Sequence, residues 1–214
     1  MNFIDIHTHN LLPSKNTSSI FNCYPSSILQ IDLFSIGIHP WFLNNDTVET
    51  ELDIIEKKIL EKNCLAIGEC GLDKLIDVDF DLQIKVFKNQ IALSEKYQKP
   101  LIIHCVKAYQ EIIALKKELK PKQIWILHGF HKNEQIAKQL MQNEIKISIG
   151  AALLKSKKLQ SLVSKIDLAF LFLETDNAAI SIQEIYEKVA TLKSVSIKEI
   201  QHKIYSNFNN VFIK

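Results

Sequence analysis

Apolar residues recur along this chain in two rhythms. Short, nearly continuous aliphatic or β-branched runs occupy Phe3–Ile6, Phe34–Ile38, Cys64–Gly68, Leu101–Ile103, Gln123–Leu127, Lys146–Ile149 and Leu168–Leu173, with a weaker one at Ile20–Tyr24. Such runs predict strands buried on both faces. Between most of them the spacing turns helical. From Asp46 onward Leu52, Ile55 and Ile59 share a face, and over about Phe80–Gln98 the residues Gln83, Phe87, Gln90, Ile91 and Ser94 form one stripe. Further helices are predicted over Ala108–Leu119, Glu134–Gln142 and Ser156–Ser164. Asp46 with Glu49, Ser181 with Glu184 and Ser196 with Glu199 read as capping boxes, the last two opening a pair of closing helices. Asn10–Ser19, with Pro13 and several small polar residues, reads as a loop.

The strand ends fall near residues 7, 23, 39, 69, 104, 128, 149 and 176. Eight strands with helices between most of them predict an α/β protein, a TIM-type (β/α)8 barrel. No Gly-rich phosphate loop supports an open doubly wound sheet. The first two connections are too short for crossover helices, and 214 residues fall below the roughly 250 typical of the fold. The expected barrel is therefore abbreviated and distorted in its N-terminal quarter, a single domain spanning residues 1–214.

Composition narrows the function classes. With 47% apolar and 23% charged residues the chain reads as an ordinary globular protein. No apolar run approaches the roughly 18 residues of a membrane helix and no signal pattern opens the chain, so a cytoplasmic protein without a membrane partner or an obligate protein partner is expected. Cys23, Cys64, Cys70 and Cys105 lack C-x-x-C spacing and read as reduced, packed thiols. The net charge of +2 is too balanced to argue nucleic-acid binding from the global field. All 26 basic residues are lysine, so no cationic side chain can offer phosphate a bidentate guanidinium fork.

Chemistry gathers where the apolar runs stop: His7, His9, His39, Glu69, His104, His128 and Asp176. Side chains at i and i+2 of an extended chain share a face, so His7 and His9 can present two imidazoles to one point. In a barrel all strand C-termini surround one mouth, where the active sites of this fold lie. Imidazole and carboxylate donors without cysteine suit zinc, manganese or magnesium. These histidines and the two carboxylates exceed the three protein ligands of one catalytic zinc, and two divalent ions fit the count better. Glu69 can bridge such a pair, while Asp176 can orient a water and take its proton.

Taken in order, His7-Thr8-His9, Gly37-Ile38-His39-Pro40, Gly68-Glu69-Cys70-Gly71-Leu72-Asp73, Pro100-Leu101-Ile102-Ile103-His104, His128-Gly129-Phe130 and Glu174-Thr175-Asp176 resemble the motifs of the TatD family of metal-dependent deoxyribonucleases. The resemblance extends to Gln83, Phe87 and Gln90 and to the closing Asn207–Phe212, covering nearly the whole chain. It implies a distorted barrel of the metal-dependent hydrolase type, two divalent ions, DNA as substrate and 3′-to-5′ exonuclease activity. It further implies that His7, His9, Glu69, His104, His128 and Asp176 ligate metal and that His39 meets substrate phosphate. Asp73 matches the family pattern either as a substrate-site residue or as an acceptor that fixes a ligand histidine.

The chain departs from the family after His104, where Cys105, Val106 and Lys107 replace the usual polar residue and arginine, and at Lys74, where an aromatic residue is common. Lys74, Lys107 and His131 are candidates for replacement phosphate contacts, and Trp41, Phe42 and Phe130 for stacking on unpaired bases. Hydrolysis of a small phosphoester, amide or lactone at the same centre stays open as an alternative, as does a non-catalytic binding module stabilised by metal.

Overall fold

The computed structural model describes residues 2–11, 16–27 and 31–213. Eight parallel strands, β1 (Phe3–Thr8), β2 (Thr17–Cys23), β3 (Phe34–Ile36), β4 (Cys64–Asp73), β5 (Leu101–Val106), β6 (Trp125–Leu127), β7 (Ile145–Ile149) and β8 (Leu171–Leu173), follow one another in chain order in a single sheet. Thr8 at the end of β1 bridges in parallel to Asp176 just beyond β8, which returns the order to its first strand. This is the topology of a (β/α)8 barrel. It is abbreviated as its spacing predicts, with no helix among the described residues between β1 and β2 or between β2 and β3. No helix among the described residues is long and apolar enough to cross a membrane.

The helices are α1 (Val48–Lys58), α2 (Phe80–Tyr97), α3 (Tyr109–Leu119), α4 (Glu134–Gln142), α5 (Ala152–Lys155), α6 (Lys157–Lys165), α7 (Ile182–Lys193) and α8 (Ile197–Phe212). The chain divides into two compact units. Met1–Phe21 with His128–Lys214 form the first, and Asn22–Leu127 the second.

In the first unit Ile4, Ile6, Phe172 and Leu173 are buried in β1 and β8, the strands that pack against α7 and α8, while Ile147 and Ile149 are buried in β7, which packs against α4. Tyr186 of α7 fastens the helix to β1, its hydroxyl accepting from Ile4 N at 3.0 Å and donating to Ile4 O at 2.9 Å. Asn207 of α8 donates to the carbonyls of Leu168 and Leu171 at 2.6 and 3.0 Å, holding the approach to β8. Asp5, buried in β1, accepts from Thr175 N at 3.1 Å and from Thr175 Oγ1 at 2.7 Å. That pair sets the residue between Glu174 and Asp176 against the first strand.

In the second unit all ten residues of β4 are buried. Its packing against β5 is unusually close. Gly71 has φ +138°, and a Cβ there would lie 2.1 Å from the His104 carbonyl oxygen; Gly68 has φ +153° and would meet Ile102 O at 2.5 Å. Only glycine allows that approach. The polar positions in the α2 stripe clamp strand ends. Gln83 Oε1 accepts from Asp73 N at 2.8 Å and its Nε2 donates to Asp73 O at 3.1 Å, while Gln90 makes the same paired contact with Ile38, at 2.8 and 3.1 Å.

Several boundaries differ from the sequence reading. The fourth strand runs five residues beyond Gly68, so Glu69 and Asp73 lie inside β4 rather than after it. β5 likewise continues past His104 to Val106, whereas β3 stops at Ile36. Residues 168–170 form one 3-10 turn before β8, capped by Asp167 accepting from Ala169 N. Asp46 does not cap α1. Thr47 stands at the N-cap but its side chain makes no capping bond to the helix backbone, and Asp46 N instead donates to Asn44 Oδ1 at 2.9 Å in the preceding turn. Both closing capping boxes form at Ser181 and Ser196, and Ser156 caps α6. The expected loop at 10–19 yields its last three residues to β2, and its Pro13 lies outside the described residues.

Burial pushes the Asp5 carboxyl from 3.8 up to about 7, against the lowering effect of the Thr175 bonds. A carboxyl whose pKa rises on folding makes the native state bind more protons than the unfolded chain between those two values. Stability from this group is therefore full in acid and declines as pH rises toward about 7. In chelator-treated protein, the melting temperature of Asp5→Asn relative to wild type should rise between pH 5 and pH 8. A difference that stays flat across that range would show that Asp5 does not titrate there.

Candidate metal centre

The first unit brings together four of the expected ligands. His7 is fully buried at the end of β1, and His9 follows at a half-buried position. Asp176 sits between them through its backbone, its N–H donating to His7 O at 2.9 Å and its carbonyl accepting from His9 N at 3.1 Å. A left-handed φ of 52° turns its side chain so that Oδ1 lies 3.6 Å from His7 Nε2 and 3.5 Å from His9 Nε2. The His128 ring centroid is 4.3 Å from that of His7. One ligand atom each from His7, His128 and Asp176 falls within 4.8 Å of the others, close enough for one ion.

Glu174 completes this cluster, and ligand spacing alone gives no sign of it. It is wholly buried at the end of β8, with Oε1 3.5 Å from His128 Nδ1 and accepting from Gly129 N at 2.6 Å. Burial pushes its carboxyl upward, but hydrogen bonding and charge from His128, with the charge of His7, outweigh this and hold it below the usual carboxylate range. A carboxylate on Nδ1 keeps the proton there and leaves His128 Nε2 as the lone-pair donor. The readable sign is an acidic residue closing an apolar strand two positions before Asp176.

The second unit holds a parallel arrangement. His104 Nδ1 lies 2.9 Å from Glu69 Oε1, and its Nε2 lies 3.3 Å from Asp73 Oδ2. Asp73 is buried and also accepts from the Trp41 indole N–H at 2.7 Å and from Leu75 N at 2.8 Å. Burial raises its carboxyl, but these donors and His104 together hold it below its ordinary value. Asp73 thus fixes the His104 ring, with Nδ1 turned toward Glu69.

His39 lies within ligand range of Glu69 and His104, with its Nε2 3.1 Å from Glu69 Oε1. Its Nδ1, however, accepts from Trp41 N at 3.1 Å, where the one-turn helix Pro40–Phe42 begins. In a neutral imidazole that acceptor nitrogen carries no proton, so Nε2 carries it. His39 is therefore arranged to donate a hydrogen bond rather than to ligate.

The remaining expected contacts separate clearly. Lys74 is paired with Glu111 and lies 5.1 Å over the Phe80 ring, which occupies its charge within the unit. His131 Nδ1 is 2.8 Å from Gly129 O, with Lys132 Nζ 3.0 Å from its other nitrogen. Lys107 is exposed just after β5, with φ 54°. Phe130 is only 1% exposed, so it packs in the core and offers no face to a base, whereas Trp41 and Phe42 are 57% and 56% exposed. All four cysteines are buried thiols outside any disulfide; burial pushes the thiols of Cys23 and Cys64 up to about 11 and 12, which makes them poor nucleophiles and ligands.

Comparison with known proteins agrees with this chemistry. Residues 15–213 match the family described as TatD-related DNase. The chain is 26% identical to an uncharacterized metal-dependent hydrolase of Methanocaldococcus jannaschii over 186 residues, covering 81% of this chain and 72% of that one. It is 29% identical to the uncharacterized metal-dependent hydrolase YabD of Bacillus subtilis over 195 residues, covering 83% and 76%. Its fold is that of the crystal structure of YjjV, a TatD homolog from Escherichia coli, with TM-score 0.85, 21% identity and coverage of 98% and 97%.

If Asp73 and Glu174 hold the proton on the non-ligating nitrogens of His104 and His128, Asp73→Asn and Glu174→Gln should each weaken divalent-ion affinity by about 10–100-fold. Competition titration against a chromogenic chelator reads this. Unchanged affinity in both variants would remove the positioning role.

Proposed function

Because the chain belongs to the TatD-related DNase family, we propose that it hydrolyses phosphodiester bonds in DNA, as a 3′-to-5′ exodeoxyribonuclease that acts on strand ends with two divalent ions, magnesium, manganese or zinc. The observation that carries this reading is the pair of donor sets, one in each unit, in which histidine and carboxylate atoms lie within 4.8 Å of one another. His7, His9, His128 and Asp176 would supply ligands from the first unit, and Glu69 and His104 from the second. The set contains no thiolate and suits hard or borderline ions. Ions held there would acidify a water toward neutral pH and offset charge on the phosphoryl oxygens.

The protein side chains account for the remaining requirements. Asp176, with 39% of its side chain exposed, is the carboxylate placed to accept a proton from an attacking water. His39, with its proton on Nε2, is a donor to a phosphate oxygen. Lys107 is the exposed lysine adjoining β5 that can meet a phosphate as a point charge. A chain without arginine must build its phosphate contacts from such donors.

A 3′-labelled single-stranded oligonucleotide incubated with manganese or magnesium tests the proposal. Wild type should release the label as a mononucleotide only when metal is supplied, and Glu69→Ala should lose more than about 100-fold of that rate. A metal-loaded protein that leaves DNA intact would contradict the nuclease reading and direct the search to small phosphoesters, amides and lactones.

A further inference from the structure

The second unit contains a small cavity of about 180 Å³ lined by Tyr24, Pro25, Ser26, Gly37, Ile38, His39, Phe42 and Glu51. We infer that it receives the unpaired 3′-terminal nucleobase of a DNA strand, with Phe42 against the base and Glu51 accepting from an exocyclic amino group. This rests on the nuclease reading above and gives it a substrate preference.

Three observations support the inference. First, the cavity shares His39 with the candidate centre, and His39 is the residue arranged to donate to phosphate. A base seated in the cavity would thus lie next to the phosphate of its own nucleotide. Second, Phe42 is 56% exposed although it lies two residues after the buried Pro40 of the one-turn helix. Its ring meets Tyr24 edge to face, with centroids 5.1 Å apart at 83°, and tilts against His39 at 5.7 Å. The helix opened by His39 fixes the ring while leaving much of it available. Base stacking on such a ring is worth about 1–3 kcal/mol and needs no particular sequence.

Third, Glu51 of α1 has a buried oxygen without a partner. Its Oε1 accepts from Thr47 Oγ1 at 3.3 Å, while Oε2 is buried and meets no donor among the described residues. An unpaired buried acceptor is costly unless something supplies a donor. The exocyclic amino groups of adenine, cytosine and guanine supply one. Thymine has no exocyclic amino group. The cavity should accordingly favour amino-bearing bases over thymine at the 3′ end.

The experiment measures kcat and KM on short single strands that end in dC, in dT or in an abasic nucleotide, for wild type, Phe42→Ala and Glu51→Met. Phe42 is solvent-exposed, so its replacement leaves the fold intact. Wild type should show a lower KM for the dC end than for the dT end. Phe42→Ala should raise KM for both base-bearing ends by about tenfold, with kcat and the abasic substrate unchanged. Glu51→Met should erase the dC preference alone. Equal KM values for dC and dT in wild type, together with unchanged KM in both variants, would overturn the pocket while DNA cleavage stands. A wild type that hydrolyses bis(4-nitrophenyl) phosphate but no DNA would overturn the nuclease reading and the pocket with it.

Discussion

An imidazole can offer one nitrogen to a metal only when its surroundings settle where the proton on the other nitrogen belongs. That requirement organises each unit of this protein. Asp73 stands behind His104 and Glu174 behind His128, both carboxylates buried and both held ionised by the donors around them. His39 obeys the opposite instruction, since a backbone N–H claims its Nδ1 and makes Nε2 a donor. Three histidines at similar strand-end positions thus receive two different roles from their second neighbours.

The supports of these supports reach into the scaffold. Gln83 pairs with both backbone polar groups of Asp73, and Gln90 does the same for Ile38, one residue before His39. Gly71 lets β4 approach β5 at the His104 carbonyl, which is the register that sets Glu69 and Asp73 around the His104 ring. In the first unit Asp5 grips Thr175 between Glu174 and Asp176, so one buried carboxyl in β1 fixes two acidic residues beyond β8. Such polar residues in strand and helix interiors are costly unless every bond is made. Here their bonds are spent on orienting the site.

Much of this was legible in the sequence because it depends on local or periodic rules. The strand order, the α2 stripe and the capping boxes at Ser181 and Ser196 follow from spacing alone. Asp46 failed as a cap because Asn44 captured its N–H in a turn, a competition between adjacent residues that the box pattern does not weigh. β4 ran past Gly68 because its glycines serve close strand packing rather than a turn. What stayed hidden depends on partners distant in the chain. Glu174 gains its meaning from His128, Lys74 loses its availability to Glu111, and Phe130, beside a candidate ligand, is drawn into the core. Periodicity marks where a side chain emerges, but not which distant group meets it.

The most direct measurement is a manganese-soaked crystal with anomalous difference maps collected above and below the metal edge. The account predicts manganese peaks against His7, His128 and Asp176 and against Glu69 and His104, with His39 Nε2 outside ligating distance. Peaks absent from both sets in crystals saturated with manganese, or an ion ligated by His39 Nε2, would contradict it.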